Sequence, residues 1–310
     1  MATYTNIQGQ NILIVSSDPA NPTIGQVWYN TTSNTLKAYA DVGAWATGGN
    51  LSSSKSRNAG AGTQTAALDI GGLPAPTNNQ TAEYDGTSWT AGGNLGTGRH
   101  ELGGCGTQTT ALAFGGETPG GYTTATEEYN GTAWTGGGAM PAPISNLGSA
   151  GTQTSALGFG GFPVITATNE YNGTSWTAGG NLATGRQSLA GAGTQTSALA
   201  AGGLVTPSNI TEEYDGTSWT AGGNLNVGRY FLAGCGTQTS ALVFGGDATP
   251  NLKATELYDG TSWSTGGALI TGRLQGAGAG TQTAGLAIGG STDATEEFTG
   301  GNATITLTTS

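Results

Sequence analysis

The chain consists of short apolar runs of three to six residues, separated by Gly, Asn, Asp and Thr. Runs of this length exclude helices of ordinary length and predict β-strands. Within residues 229–269 the predicted strands are Leu232–Cys235, Ala241–Phe244, Ala254–Tyr258 and a short strand around Trp263. Asp259-Gly260 offers the two positive-φ positions of a tight hairpin turn before the last strand. The pattern therefore predicts four antiparallel strands in this stretch.

The same pattern recurs along the chain, marked by the string Gly-Thr-Gln-Thr at steps of 44, 45, 42, 43 and 44 residues. The first residues of this string are Gly62, Gly106, Gly151, Gly193, Gly236 and Gly280. Six tryptophans keep the same intervals: Trp45, Trp89, Trp134, Trp176, Trp219 and Trp263. Four strands in each of six repeats predict an all-β fold, a six-bladed β-propeller with four antiparallel strands per blade. We expect each tryptophan to be structural and to pack over the next blade.

The two ends of the repeat array lack complementary parts. The repeat that contains Gly280 has no tryptophan, whereas residues 39–45 are typical of a third and fourth strand without the first two. Because unpaired strand edges are unstable, the strand at Trp45 is predicted to complete the sixth blade. The alternative is a partial seventh blade. The predicted organisation is an N-terminal anchoring segment (1–34), a propeller (35–299) and a C-terminal strand or tail (300–310).

Composition and charge narrow the class of partner. Glycine makes up 58 of 310 residues without the regular spacing of collagen, and charged residues are only 9%, fewer than disordered chains carry. The net charge of -11, with 8 Lys and Arg, argues against a nucleic-acid partner and against binding to an acidic membrane surface. No apolar run is long enough to span a bilayer, and the first residues do not resemble a secretory signal.

A cation stands seven residues before the Gly-Thr-Gln-Thr glycine in five repeats. These residues are Lys55, Arg99, Arg186, Arg229 and Arg273, and repeat three has Ile144 instead. One interpretation is a ring of cations that binds an anion. The favoured one is a structural pair, once per blade, with a third-strand glutamate such as Glu83, Glu128, Glu170, Glu213 or Glu297.

No residue pattern indicates catalysis. The chain has one histidine, His100, so neither a Ser-His-Asp set nor a His-rich metal site is expected. Cys105 and Cys235 occupy the same position in repeats on opposite sides of a six-bladed ring, too far apart for a disulfide, and are predicted to be buried thiols. We predict no enzyme activity, no metal site and no cofactor.

Positions that differ between repeats are candidates for recognition. The loops between the second and third predicted strands vary most: 73–80, 117–123, 162–166, 204–208, 247–253 and 291–293. Aromatic and polar side chains on this face are suited to a sugar or a protein, because rings stack on C–H groups and polar groups bind hydroxyls. The candidate ligand-binding residues are His100, Tyr122, Phe162, Gln187, Tyr230 and Phe231.

Several features of each repeat resemble the kelch family of β-propellers. They are an arginine before the first strand, a double glycine after the second as in Gly115-Gly116, a Glu-Tyr-Asp in the third as in 83–85, and a tryptophan in the fourth. The resemblance covers residues 35–299, with short repeats and Ile144 as departures. The repeats are nearly alike in sequence, including residues 84–89 and the Gly-Thr-Gln-Thr string. In this they are also similar to propellers in tail-fibre and other virion proteins of marine bacteriophages and cyanophages. Residues 25–39 resemble a segment of phage tail proteins.

The phage resemblance implies a non-enzymatic virion protein, a tail-fibre, tail-associated or capsid-decorating propeller, assembled in the host cytoplasm. It would bind other virion proteins through residues 1–34 and 300–310 and bind a host-surface glycan or receptor with the varied loops. The resemblance also allows a homo-oligomer. The alternative is a secreted or cytosolic kelch-type protein, either carbohydrate-active or an adaptor.

Both termini contain strand-like patterns. Ile12-Leu13-Ile14-Val15 is apolar, and 303–308 alternates apolar and polar residues. Residues 31–34 are predicted to form a hairpin turn. A strand near 11–15 could pair with 303–308, or either could add to a sheet edge of another subunit. The alternative is a frayed tail.

Overall fold

The computed structural model describes residues 12–22, 26–74, 79–204, 208–247 and 253–306. Strands are the only regular elements in these ranges, and no helix there could cross a membrane. The chain divides into two compact units, one of residues 44–299 and one of residues 1–43 with 300–310. The repeats form the first unit.

The repeat unit contains six four-stranded antiparallel sheets, which we call sheets 1 to 6. Sheet 1 has β5 (Ala59–Thr63), β6 (Ala66–Ile70), β7 (Thr81–Tyr84) and β8 (Trp89–Ala91). Sheet 2 has β9 (Gly103–Gly106), β10 (Ala111–Phe114), β13 (Thr126–Tyr129) and β14 (Trp134–Gly136), with a small hairpin, β11 (Glu117–Thr118) and β12 (Gly121–Tyr122), between its second and third strands. Sheet 3 has β15 (Gly148–Thr152), β16 (Ser155–Phe159), β17 (Thr168–Tyr171) and β18 (Trp176–Ala178).

The other three sheets repeat this order. Sheet 4 has β19 (Ala190–Thr194), β20 (Ser197–Ala201), β21 (Thr211–Tyr214) and β22 (Trp219–Ala221). Sheet 5 has β23 (Ala233–Thr237), β24 (Ser240–Phe244), β25 (Thr255–Tyr258) and β26 (Trp263–Thr265). Sheet 6 has β27 (Ala277–Gly280), β28 (Ala284–Ile288), β29 (Thr295–Thr299) and the N-terminal β4 (Ala44–Thr47).

Sheet 6 joins the two ends of the repeat array. Its fourth strand, β4, pairs antiparallel with β29, with Trp45 opposite Phe298. This is the pairing that the missing tryptophan strand of the last repeat predicted. Residues 39–41 were expected to belong to the same repeat as Trp45, but they lie in the other unit. The N-terminal part of that unit ends at Gly43 rather than at residue 34.

The turns before five of the six tryptophan strands, all but β4, differ from the predicted two-residue hairpin. Tyr84 pairs with Trp89, so four residues form the connection. The Asp85 carboxylate accepts the backbone N–H groups of Thr87 and Ser88, each at 2.8 Å. Only Gly86 has a positive φ, of 89°, because the carboxylate caps the turn and leaves one left-handed position.

The first strands of the six sheets lie side by side in the order β5, β9, β15, β19, β23 and β27, and β27 also lies beside β5. Their Ala and Gly content follows from this close approach. A Cβ atom added at Gly191 would lie 2.2 Å from the carbonyl oxygen of Ser149 in the neighbouring sheet. Larger side chains would force the inner strands apart.

The apolar core lies between neighbouring sheets. One cluster joins Leu68 and Ile70 of sheet 1 to Ala111 and Tyr129 of sheet 2. The equivalent cluster between sheets 6 and 1 includes Ala67, Tyr84, Leu286 and Ile288. A single sheet thus depends on its neighbours to bury its faces.

The glutamine of each Gly-Thr-Gln-Thr turn binds the preceding sheet. Gln108 of sheet 2 donates from Nε2 to the carbonyl oxygens of Ala67 and Tyr84 in sheet 1. Gln64 of sheet 1 makes the same bonds to Gly285 and Phe298 of sheet 6. Gln153, Gln195, Gln238 and Gln282 continue the series. The repeated string is therefore a connector between sheets.

Each tryptophan also reaches back to the preceding sheet. The Trp176 indole donates to the Thr126 hydroxyl at 2.9 Å and packs on Phe114, with ring centroids 4.8 Å apart. The same indole bond is made by Trp45, Trp89, Trp134, Trp219 and Trp263. Packing over the next sheet was the wrong direction, because the indole bonds and ring contacts go to residues of the preceding sheet.

A tyrosine–glutamate bond strengthens five of the six interfaces. The Tyr171 hydroxyl donates to Glu128 of the preceding sheet at 2.6 Å, and burial together with this carboxylate raises the pKa of Tyr171 to about 12. Between sheets 5 and 6 the pair is replaced by Leu257 and Phe298, which share one apolar cluster. Both polar partners are absent together, so neither is left buried without the other.

The terminal unit contains one sheet, in the order β1 (Leu13–Val15), β2 (Val27–Asn30), β3 (Thr35–Asp41) and β30 (Asn302–Thr306). The predicted hairpin turn at 31–34 joins β2 to β3. Pairing of 11–15 with 303–308 was wrong: β1 pairs in parallel with β2, and β30 pairs with β3. The long β3 can pair on both sides, so it separates the two ends. Residues 1–11, 23–25 and 307–310 lie outside the described residues.

Asp18 fastens the loop between β1 and β2 to this sheet. Its carboxylate accepts hydrogen bonds from Trp28 and Asn30 and forms an ion pair of 2.7 Å with Lys37. These contacts, with the Lys37 bond foremost, lower the pKa of Asp18 to about 2. The carboxylate thus stays ionised in this position at any ordinary pH.

Two fragments test the role of β4. A fragment of residues 44–299 keeps Trp45, which is 8% exposed and packs on Phe244 and Phe298. A fragment of residues 52–299 lacks it and should be less stable by at least the ~3–5 kcal/mol typical of losing a buried tryptophan side chain. Urea unfolding measures the difference, and light scattering should detect association of the shorter fragment through the open β29 edge. Equal stability and equal mass would contradict this role.

Candidate functional site

The varied loops begin beside the predicted ligand-binding residues. Isolated bridges pair His100 with Glu117, Gln187 with Leu204 and Tyr230 with Asp247. In each case the residue after the repeated arginine meets the first residue of a varied loop. Loop residues 75–78, 205–207 and 248–252 lie outside the described residues.

Buried arginines hold the bases of these loops. Arg186 is 0% exposed and donates to the carbonyl oxygens of Gly202 and Ile210, which flank the loop, and to the Glu212 carboxylate at 3.1 Å. Burial lowers the pKa of Arg186 to about 10, and Glu212 opposes this shift. Equivalent ion pairs join Arg99 to Glu127, Arg229 to Glu256, Arg273 to Glu296 and, with a different acid, Lys55 to Asp69. The loops can therefore vary in sequence without disturbing the buried ion pairs at their base.

The predicted glutamate partners were wrong by one residue. Arg99 pairs with Glu127, whereas Glu128 accepts the Tyr171 hydroxyl of the next sheet. Successive residues of a strand point to opposite faces, so the two glutamates serve different partners. Since the guanidinium groups are buried and paired, the ring of cations for an anion is also excluded.

Sheet 3 shows that the buried pair is lost as a unit. Ile144 replaces the arginine there, and Asn169 replaces the glutamate. Both are buried. In sheet 1 the cation is Lys55 and its acid, Asp69, lies on the second strand, while Ala82 takes the glutamate position. No lone charge is left inside these two sheets.

An exposed aromatic pair lies on the varied loops of sheets 2 and 3. Tyr122 is 43% exposed and Phe162 is 37% exposed, and their ring centroids are 5.3 Å apart. Val164, 48% exposed, follows in the same loop as Phe162. The structure therefore brings together two of the predicted ligand-binding residues from different repeats.

The other predicted residues are partly buried. Tyr230 and Phe231 are in contact, with ring centroids 5.1 Å apart, and the Tyr230 hydroxyl donates to Asp247 at 2.7 Å. His100 lies close to Glu101 and Glu117, with one donor atom of each within 4.8 Å of the others. These three residues could approach a metal ion, but Glu101 already binds Arg57 and Asn146.

Six residues that sequence reasoning largely missed form a cycle of backbone hydrogen bonds, which we call the central ring. Each N–H donates to the C=O of the equivalent residue in the preceding sheet, and Arg57 donates to Gln275. The members are Arg57, Glu101, Asn146, Ser188, Phe231 and Gln275. Only Phe231 was among the predicted ligand-binding residues.

All six central-ring residues adopt left-handed backbone conformations, with φ between 52° and 59°. Such a conformation costs a residue other than glycine about 1–3 kcal/mol. The ring residues are nevertheless an arginine, a glutamate, two amides, a serine and a phenylalanine. The signal in the sequence was that the second residue after the repeated cation differs in all six repeats, while a leucine follows it in four.

The central ring lines an open pit. Its side chains are linked on one side: Arg57 pairs with Glu101 at 2.7 Å and donates to the Gln275 amide oxygen at 3.4 Å, and Asn146 donates to Glu101. Leu102, Leu147, Leu189 and Leu232 line the pit next to them. The pit therefore has a polar rim, one aromatic side chain and apolar walls.

The two cysteines are buried and free. Their thiols donate to the carbonyl oxygens of Thr152 and Thr281 in neighbouring sheets. Burial raises the pKa of both Cys105 and Cys235 to about 12, so thiolate is scarce at neutral pH. The prediction of buried thiols is confirmed.

The natural Ile144 and Asn169 combination suggests a test of the buried pair. Arg186→Ile alone should destabilise the protein by about 3–5 kcal/mol, because Glu212 remains buried without its cation. Adding Glu212→Asn should recover much of this loss in urea unfolding. A double variant no more stable than the single one would show that the carboxylate is not the source of the loss.

A second comparison tests the division between repeated and varied positions. Trp176→Ala should cost about 3–5 kcal/mol because the side chain is buried between sheets 2 and 3. Phe162→Ala should change stability little, since the ring is partly exposed, and Trp176→Phe should fall between them. Urea unfolding of the three variants gives the order, and the reverse order would contradict the division.

A scan against protein-family models and a search of curated proteins found no match to this chain.

Proposed function

We propose that sheets 1 to 6 close into one six-bladed, kelch-like propeller, and that this propeller is a non-enzymatic recognition module of a bacteriophage virion. Closure is supported by bonds from the first repeat to the last. Gln64 binds Gly285, Trp89 binds Thr295, and Arg57 donates to Gln275. Equivalent contacts join all five remaining pairs of neighbouring sheets.

One observation carries the recognition function: the residues that join sheets are repeated, whereas the residues that vary are gathered at one end of the sheets. The glutamine, tryptophan and tyrosine bonds account for the repeated positions. The varied loops begin above buried ion pairs such as Arg186 with Glu212. A surface that can change without loss of the fold is suited to binding different targets.

The exposed pair Tyr122 and Phe162 supports a host-surface glycan or receptor as the target. Aromatic rings on adjacent loops offer flat apolar surfaces for C–H groups or apolar side chains. Neighbouring polar groups, including Glu117 opposite His100, can bind hydroxyl or amide groups.

The terminal sheet is the proposed attachment to other virion proteins. Its edge strand β1 pairs on one side only, and Leu13 and Ile14 are 46% and 71% exposed. An edge strand can bind a strand of another protein through its backbone. Further support for a virion location, on the surface or tail, comes from the resemblance of residues 25–39 and of the repeats to phage proteins.

Purified particles test this function. Mass spectrometry should find the chain as a stoichiometric component of phage particles. Antibody fragments against residues 117–123 and 162–166 should block adsorption to host cells, while fragments against the turns at 85–88 and 215–218, at the opposite end of the sheets, should not. Absence of the chain from particles, or equal adsorption with both sets, would refute the proposal.

A further inference from the structure

The central ring keeps side chains where glycine would suit the backbone better. Among the described residues, glycine has a positive φ at many positions, such as Gly62, Gly86 and Gly131, yet at none of the six in the ring. The cycle of hydrogen bonds uses only peptide N–H and C=O groups, which glycine also has. The backbone geometry alone therefore does not explain these six side chains.

Contacts among the side chains explain them only in part. Arg57 pairs with Glu101, and the two side chains are 35% and 7% exposed, so solvent screens the pair on the arginine side. Within the part of the chain that the structure describes, Phe231 has one aromatic neighbour, Tyr230. Side-chain bonds thus join the five polar ring residues but not Phe231, and all six residues line an open pit that a ligand could enter.

The chemistry of the ring favours a neutral, hydroxyl-rich ligand. The charges of Arg57 and Glu101 cancel, so neither an anion nor a cation is preferred. Asn146, Ser188 and Gln275 add groups that both donate and accept hydrogen bonds. Phe231 offers an aromatic ring, which can contact the C–H face of a sugar while the polar groups bind its hydroxyls.

The shape of the pit favours the end of a ligand rather than its middle. The pit has a volume of about 100 Å³, below the ~300–1,000 Å³ of drug-sized ligand sites, so it can take only one small unit of a ligand. Because six residues surround it, a chain cannot lie across it at depth. We propose that the pit binds one neutral monosaccharide unit, the terminal sugar of a glycan. This inference rests on the proposed recognition function and gives it a second contact point beside the varied loops.

Glycine substitutions test the pit without harming the fold. Gln275→Gly and Phe231→Gly remove a side chain and suit the left-handed backbone, so the urea midpoint should stay the same or rise. Asn34→Gly, at φ 54° in the turn between β2 and β3 and outside both the ring and the varied loops, is the matched control. The probes are the methyl glycosides of D-glucose, D-galactose, D-mannose and N-acetyl-D-glucosamine, titrated by calorimetry and by saturation-transfer NMR.

We expect at least one glycoside to bind saturably to the intact protein. Its Kd should rise at least tenfold in both ring variants and stay unchanged in Asn34→Gly. Absence of binding by all four glycosides would overturn the inference, as would unchanged affinity in the ring variants. Binding lost in Tyr122→Ala/Phe162→Ala but kept in the ring variants would also overturn it, while leaving recognition by the varied loops intact. Absence of the chain from particles would refute the virion proposal without changing these titrations.

Discussion

Bonds between neighbouring sheets are the constraint on which this fold depends. A four-stranded sheet with short strands cannot bury both of its faces, so stability comes from what lies between sheets. In each repeat a tryptophan, a glutamine and, in five cases, a tyrosine reach back to the preceding sheet. Because all three point the same way, adding a sheet satisfies polar groups of the sheet before it. Such a series has no free end when the first repeat also binds the last, which is the arrangement we propose.

Exceptions to the repeat occur in matched pairs. This supports the interpretation that the repeated polar residues are kept as bonded pairs. Where Ile144 replaces an arginine, Asn169 replaces the glutamate. Where Leu257 replaces a glutamate, Phe298 of the next sheet lacks the tyrosine hydroxyl. A buried polar group without a partner is costly, whereas removing both partners leaves an apolar contact. Within these sheets, what is repeated is the satisfied pair rather than the individual residue.

The proposed recognition surface follows from the same arrangement. Side chains that join sheets cannot change freely, but loop residues above the buried Arg186 and its equivalents can. The inner strands must stay small, as Gly191 shows, so larger side chains return only where the chain turns away at the central ring. The ring residues lie two positions before each first strand, and an arginine, a glutamate and a phenylalanine are all accommodated there.

Periodicity by itself determined the strands, the six repeats and the pairing of the Trp45 strand with the last repeat, since each depends on local pattern and on counting. Sequence reasoning failed where neighbours in space decide. It paired Arg99 with Glu128 rather than Glu127, because only the register assigns each glutamate to a face. It paired the two terminal strands with each other, whereas β2 and β3 lie between them in the sheet. The local pattern of a strand does not indicate which strand lies beside it. The sequence did not predict the central ring for the same reason, since its neighbouring members lie more than 40 positions apart in the chain. Only the tertiary structure brings their backbones into one hydrogen-bonded cycle and gives them left-handed conformations.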